Sequence, residues 1–215
     1  MSATCHPPLA TVYLLDDEPE MVKALTRLLR AKHFEVRGFT SAKSFLEAYQ
    51  PQDIACLVLD VAMPELNGLE LQQRLTHKGI LIPIIFLTGH GDIPMSVRAI
   101  KAGATEFLTK PVDGVALVRA VGAALETART RHRDIVETAA LAARLATLTP
   151  REREVMEHVV AGRLNKQIAA DLGTGEQNIK LHRGHVMRKM AVESVADLVR
   201  SAERLGVGKA AVSDQ

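Results

Sequence analysis

The chain has 215 residues, enough for one large domain or two small ones, with the 47% hydrophobic and 24% charged composition of a globular protein. Twenty-seven Lys and Arg against 25 Asp and Glu leave a formal charge of +2, so bulk charge names no partner. Cys5 and Cys56 offer neither a disulfide framework nor metal-ligand spacing, the first eight residues lack the regions of a signal peptide, and the longest apolar run, 80–87, is too short to span a bilayer, so the expectation is a cytoplasmic protein with no membrane partner.

Thr11–Leu15 is a short apolar strand that runs into Asp16-Asp17-Glu18-Pro19, and Met21, Leu25, Leu28 and Leu29 then recur at helical spacing. A weaker strand is expected over 34–39, followed by Ser41 as the cap of a helix carrying Phe45 and Leu46. The third strand, with Leu57, Val58 and Leu59 apolar on both faces, ends in Asp60, and Pro64 stops its continuation. Asn67-Gly68 marks a turn before a helix with Leu69, Leu71 and Leu75. A fourth strand over 82–87 leads to Thr88-Gly89, a helix is expected over about 93–102, and a fifth strand over 105–108 ends near Lys110-Pro111. Strands alternating with helices predict an α/β domain with a doubly wound, five-stranded parallel sheet.

From residue 113 the sequence turns alanine-rich, without Gly or Pro over 123–149. Leu125, Ala128, His132, Ile135, Ala139 and Ala142 fall on a heptad seam with only two large aliphatics, which predicts a long linker helix of modest coiled-coil character. Thr149, Pro150 and Glu152 then read as N-cap, first helical residue and capping box of an all-α second domain. The expected divisions are 1–122, a linker over 123–147, a helical domain over 148–208 and a disordered tail over 209–215.

With strand order 2-1-3-4-5, Asp16, Asp17, Asp60, Thr88 and Lys110 meet at the carboxyl edge, where open α/β sheets hold their ligand chemistry. Crowded carboxylates raise one another's pKa unless a cation relieves them, and oxygen-only ligands suit Mg²⁺. A carboxylate, a Mg²⁺ site, a Lys and a hydroxyl describe phosphoryl transfer onto Asp60.

The stretches Asp16-Asp17, Asp60-Val61-Ala62-Met63-Pro64, Thr88-Gly89-His90 and Phe107-Leu108-Thr109-Lys110-Pro111 resemble the receiver domain of two-component response regulators, and the C-terminal stretch resembles the LuxR-type helix-turn-helix. Together they are similar to the FixJ/NarL class, the FixJ branch in particular. The resemblance implies a transcription regulator, not an enzyme beyond accepting and shedding a phosphoryl group. Asp60 would be the acceptor from a sensor histidine kinase, and Asp16, Asp17, Asp60 and the Ala62 main-chain carbonyl would hold Mg²⁺. It also implies Thr88 and Phe107 as a switch pair, a cis peptide at Lys110-Pro111, a homodimer on phosphorylation and RNA polymerase as a partner. Ala62 and His90 stand at positions that vary in the family and bear on dephosphorylation.

Within the helix-turn-helix over 165–184, Ile168, Ala169 and Leu172 are expected to face inward, as are Ile179, Val186 and Met190 of its second helix. Gln177, Lys180, Leu181, Gly184 and Arg188, with His185 beside them, form the opposite face, suited to a major groove. Lys166, Thr174, Asn178 and Arg183 are expected at phosphates. The absence of Phe, Tyr and Trp from this domain favours double-stranded DNA over stacked single strands. Two other classes fit less well. A haloacid-dehalogenase-like phosphatase wants a second Asp where Ala62 stands, and a ligand-gated quorum-type regulator wants an apolar pocket rather than an acidic strand edge.

Overall fold

A computed structural model describes residues 10–50, 54–64, 66–89 and 105–207. The helix expected over 93–102, His90, Cys5 and the tail from residue 209 lie outside them. Two compact units emerge, Met1–His132 and Arg133–Gln215.

In the first unit β1 (Thr11–Leu15), β2 (Glu35–Phe39), β3 (Ala55–Asp60), β4 (Ile84–Thr88) and β5 (Glu106–Thr109) form one parallel sheet in the order β2-β1-β3-β4-β5. Helices α1 (Pro19–Arg30), α2 (Ala42–Ala48), α3 (Gly68–His77) and α4 (Gly114–Ala146) complete the described elements of this part of the chain. Side chains alternate across a strand, and each face of this sheet has its own core. Val12, Leu14, Cys56, Val58, Ile85 and Leu87 pack with Leu25 and Leu29 of α1 and Leu117, Val121 and Leu125 of α4. Tyr13, Leu15, Leu57, Leu59, Ile84 and Phe86 pack with Phe45 of α2 and Leu71 and Leu75 of α3. Burial on both faces explains why the central strands read as unbroken apolar runs. Burial also pushes the Cys56 thiol up to about 12, which removes it from thiolate chemistry.

The strand ends differ from expectation by a residue or two. β4 begins at Ile84, because Pro83 has no N–H for the ladder; its carbonyl instead accepts from Leu57 N at 2.9 Å. α4 starts at Gly114 and runs through Gly122 without a break. Ala124, Leu125 and Ala128, which read as linker, are buried, whereas Ile135 and Val136 further along are exposed.

In the second unit α5 (Pro150–Val160), α6 (Asn165–Asp171), α7 (Glu176–Met190) and α8 (Val195–Arg204) close around Val155, Met156, Ile168, Ile179, Val186, Met190 and Leu198. Thr149 and Glu152 make the expected capping box, and Ser194 with Asp197 repeats it for α8. Arg204 ties α8 to the stretch of α4 in the same unit, reaching Asp134 at 3.1 Å and Glu137 at 2.8 Å. No helix of the described residues is long and apolar enough to cross a membrane.

Candidate functional site: an acidic strand edge and a basic helix face

Asp16 follows β1 and is fully buried. Its Oδ1 accepts from Glu18 N at 3.0 Å, and its Oδ2 accepts from Lys110 Nζ at 2.8 Å. Asp60 ends β3, and Lys110 Nζ lies 3.0 Å from its Oδ2 while Ala62 N points at its Oδ1 from 3.4 Å. Asp17 is half-buried beside them, and oxygens of Asp16, Asp17 and Asp60 all lie within 4.8 Å of one another. Among the described residues, one ammonium thus pairs with two of three clustered carboxylates. Burial pushes the Asp60 carboxyl up, more than the hydrogen bond and charge of Lys110 hold it down. Burial acts to lower the Lys110 ammonium, but hydrogen bonds to Asp16 and Asp60 outweigh it and hold the group above its usual range. Among the described residues the edge is short of positive charge, and its donors are all oxygen, the set that a hard dication accepts.

Thr88, buried at the end of β4, accepts through its carbonyl from Lys110 N at 2.6 Å, which fixes where the lysine leaves β5. Phe107 is half-buried two residue pairs back along the ladder, its ring 5.9 Å from that of Phe86. The Lys110–Pro111 peptide is cis. These are the positions the sequence pointed to.

Gly68 was not among the expected site residues, although Asn67-Gly68 reads as a turn and closes the receiver-like stretch that begins at Asp60. Asn67 is the N-cap of α3, with its Oδ1 accepting from Glu70 N at 2.9 Å. Gly68 N donates to Val61 O at 3.0 Å, and a Cβ on Gly68 would stand 2.5 Å from the Asp60 carbonyl oxygen. Only glycine lets α3 begin so close to the Asp60 backbone. The Asn-Gly pair was the available signal, but which backbone it approached was not in it.

On α7 the inward residues Ile179, Val186 and Met190 are buried, and Gln177, Lys180, Leu181, Gly184 and Arg188 are exposed, as the periodicity predicts. The surrounding bases separate into two groups. Arg163 pairs with Asp171 at 2.6 Å, Arg183 donates to Asn165 Oδ1 at 2.5 Å, and Lys189 pairs with Glu152 at 2.6 Å. Lys166, Lys180 and Arg188 are exposed and make no ion pair among the described residues. Asn178 donates to Thr174 Oγ1 at 3.1 Å. His185, half-buried, turns toward Glu152, its Nδ1 3.5 Å from the carboxylate, so this ring is partly engaged inside the domain.

Glu152 carries more than the capping box assigned to it. Its buried carboxylate accepts from Lys189 Nζ and from Thr149 N at 2.8 Å, clasping the start of α5 to the end of α7. The Lys189 hydrogen bond first, then that of the Thr149 backbone, lowers its carboxyl to about 2. Sequence periodicity carries no sign of a partner 37 residues away.

Residues 12–122 match the response regulator receiver domain, and residues 146–202 match the luxR family of bacterial regulatory proteins. The chain belongs to the response regulators of the FixJ type, in which a receiver is joined to a luxR-type DNA-binding domain, and it is a phosphorylation-regulated transcription regulator. It is similar to Nodulation protein W of Bradyrhizobium diazoefficiens, 48% identical over 92% of this chain and 87% of that protein. It is also similar to the response regulator protein TodT of Pseudomonas putida, 44% identical over 91% of this chain and 86% of the relative. Among solved structures, the response regulator StyR superposes with a TM-score of 0.81 at 43% identity, covering 91% of this chain and 98% of StyR. A receiver implies a kinase that phosphorylates it, and a luxR-type domain implies a DNA target. Receiver domains take Mg²⁺ in an acidic pocket, and Asp16, Asp17 and Asp60 form such a cluster here.

Proposed function

We propose that Asp60 is the residue phosphorylated, in the cytoplasm and by a sensor histidine kinase, and that the acyl phosphate so formed switches the chain between weak and strong binding to its operators. The observation that carries this reading is the Lys110 ammonium shared between Asp16 and Asp60 at 2.8 and 3.0 Å, beside the half-buried Asp17. An Asp60 oxygen attacks phosphorus as the donor's P–N bond breaks, and the imidazole leaves with the electron pair and takes up a proton. Lys110 stays on the incoming phosphoryl oxygens, and the Thr88 hydroxyl donates to one of them. Asp16, Asp17, Asp60 and the Ala62 carbonyl would hold Mg²⁺, which would supply the neutralising charge for the cluster. Ala62 has no polar side chain with which to orient a hydrolytic water.

Thr88 and Phe107 carry the switch to a homodimer that engages duplex DNA and, through it, RNA polymerase. At the DNA, Lys166, Lys180 and Arg188, which make no ion pair among the described residues, reach phosphates and base edges, with Gln177, Leu181 and Gly184 facing the groove. Thr174, Asn178 and Arg183 sit at the flank, Arg183 needing to leave Asn165 to reach a phosphate. His185 contributes from its place beside Glu152. Label incorporation from radiolabelled acetyl phosphate with Mg²⁺ tests the acceptor. The wild type labels and Asp60→Asn does not; equal labelling of both overturns the assignment.

A further inference from the structure

We infer that Leu181, beside the bare backbone of Gly184, reads the 5-methyl group of a thymine in the operator, which makes it a specificity-determining residue. This rests on the duplex-DNA reading above and names the base feature recognised there.

Leu181 is 57% exposed in the middle of α7, on the side opposite the buried Ile179, Val186 and Met190. A side chain of this kind gains nothing from water. Gln177 precedes it by four residues and Arg188 follows by seven, so the exposed face runs polar, apolar, open, basic along one line of the helix. The opening is Gly184, three residues after Leu181. A Cβ added there meets no atom within 4 Å, so the leucine does not fold back over it. The pair is a shallow notch with one apolar wall and a glycine floor. Lys180 and Arg188 flank it without ion pairs among the described residues. In the major groove the groups that a polar side chain reads are donors and acceptors, and the one apolar feature presented is the thymine methyl. Glycine admits the close approach that an apolar contact of one methyl group requires.

The full-length chain, loaded with Mg²⁺ and beryllofluoride, is used to select a duplex from a random-sequence library. Each thymine of that duplex is then replaced in turn by deoxyuridine, which removes only the methyl. One thymine per half-site is expected to lose about fourfold in affinity, the worth of a single buried methyl-sized group. Leu181→Ala abolishes that loss at that position alone, and Leu181→Met, still apolar, retains it. Both variants keep the exposed position outside the core, and thermal unfolding checks that they fold. A selected duplex with no uracil-sensitive thymine overturns the inference, as does a sensitivity that survives unchanged in Leu181→Ala. Failure to select any duplex overturns the duplex-DNA reading itself, and this inference with it.

Discussion

The two units each bury a carboxylate, and they treat it in opposite ways. Asp60 shares a single ammonium with Asp16, next to a third carboxylate, and burial drives its pKa up. Glu152 is as deeply buried but has Lys189, the Thr149 amide and His185 around it, and its pKa falls to about 2. A carboxylate that holds structure together is given its partners within the fold. One left short of them stays open to positive charge from outside, as the proposed phosphorylation of Asp60 requires. The sign of the shift separates the roles better than burial does.

Removing Glu152 is expected to have the largest effect. Glu152→Gln strands Lys189 and weakens the clasp between α5 and α7, costing the helical domain roughly 1–3 kcal/mol in urea unfolding at pH 7. The pH dependence has a definite sign. The folded-state value of about 2 lies below the ordinary 4.5, so this stabilisation is whole above about pH 4.5 and is lost as pH falls toward 2. In the Gln variant that acid limb should flatten; an unchanged limb would mean that other carboxylates govern it.

Gly68→Ala tests the acidic edge through its backbone. The added methyl would stand 2.5 Å from the Asp60 carbonyl oxygen, so the start of α3 must move, at roughly 1–3 kcal/mol. Thermal unfolding should fall, and labelling from acetyl phosphate should slow with it. A variant that unfolds early yet labels at the wild-type rate would show that Gly68 positions α3 and not Asp60.

Asp60→Asn reverses the direction seen at Glu152. Because the folded-state pKa of Asp60 is raised, its contribution is fully present below the unfolded value and lost as pH rises through the folded one. At neutral pH without Mg²⁺ the Asn variant should therefore melt higher than the wild type. A lower melting temperature would contradict the account of an unrelieved acidic cluster.

The smallest change expected is at Gly184. An exposed mid-helix glycine costs about 0.5–1 kcal/mol relative to alanine, and an added Cβ meets nothing here, so Gly184→Ala should stabilise the helical domain by that amount. Operator titration at fixed salt supplies the second reading. Weaker specific binding by the more stable protein indicates close approach of the helix to DNA; undiminished binding would rule that approach out.

Much of the molecule was legible in one dimension because its signals are local. Apolar runs ending in Asp16, Asp60 and Thr88 marked strands and the candidate site at their ends together, since a parallel sheet buried on both faces permits few polar residues until the chain leaves it. Period and capping located α5 and α7, because Thr149, Pro150 and Glu152 satisfy the first helical turn from within four residues. Tertiary structure decided whatever depends on a partner far along the chain. It determined which oxygens share Lys110, that Gly68 lies against the Asp60 carbonyl, and that Leu125 belongs to a core while Ile135 does not. It also divided the basic residues, giving Lys189 to Glu152 and Arg163 to Asp171 and leaving Lys180 and Arg188 to face outward. A sequence records that a charge exists; whether the charge is neutralised is a matter of a few ångströms, which only folding sets.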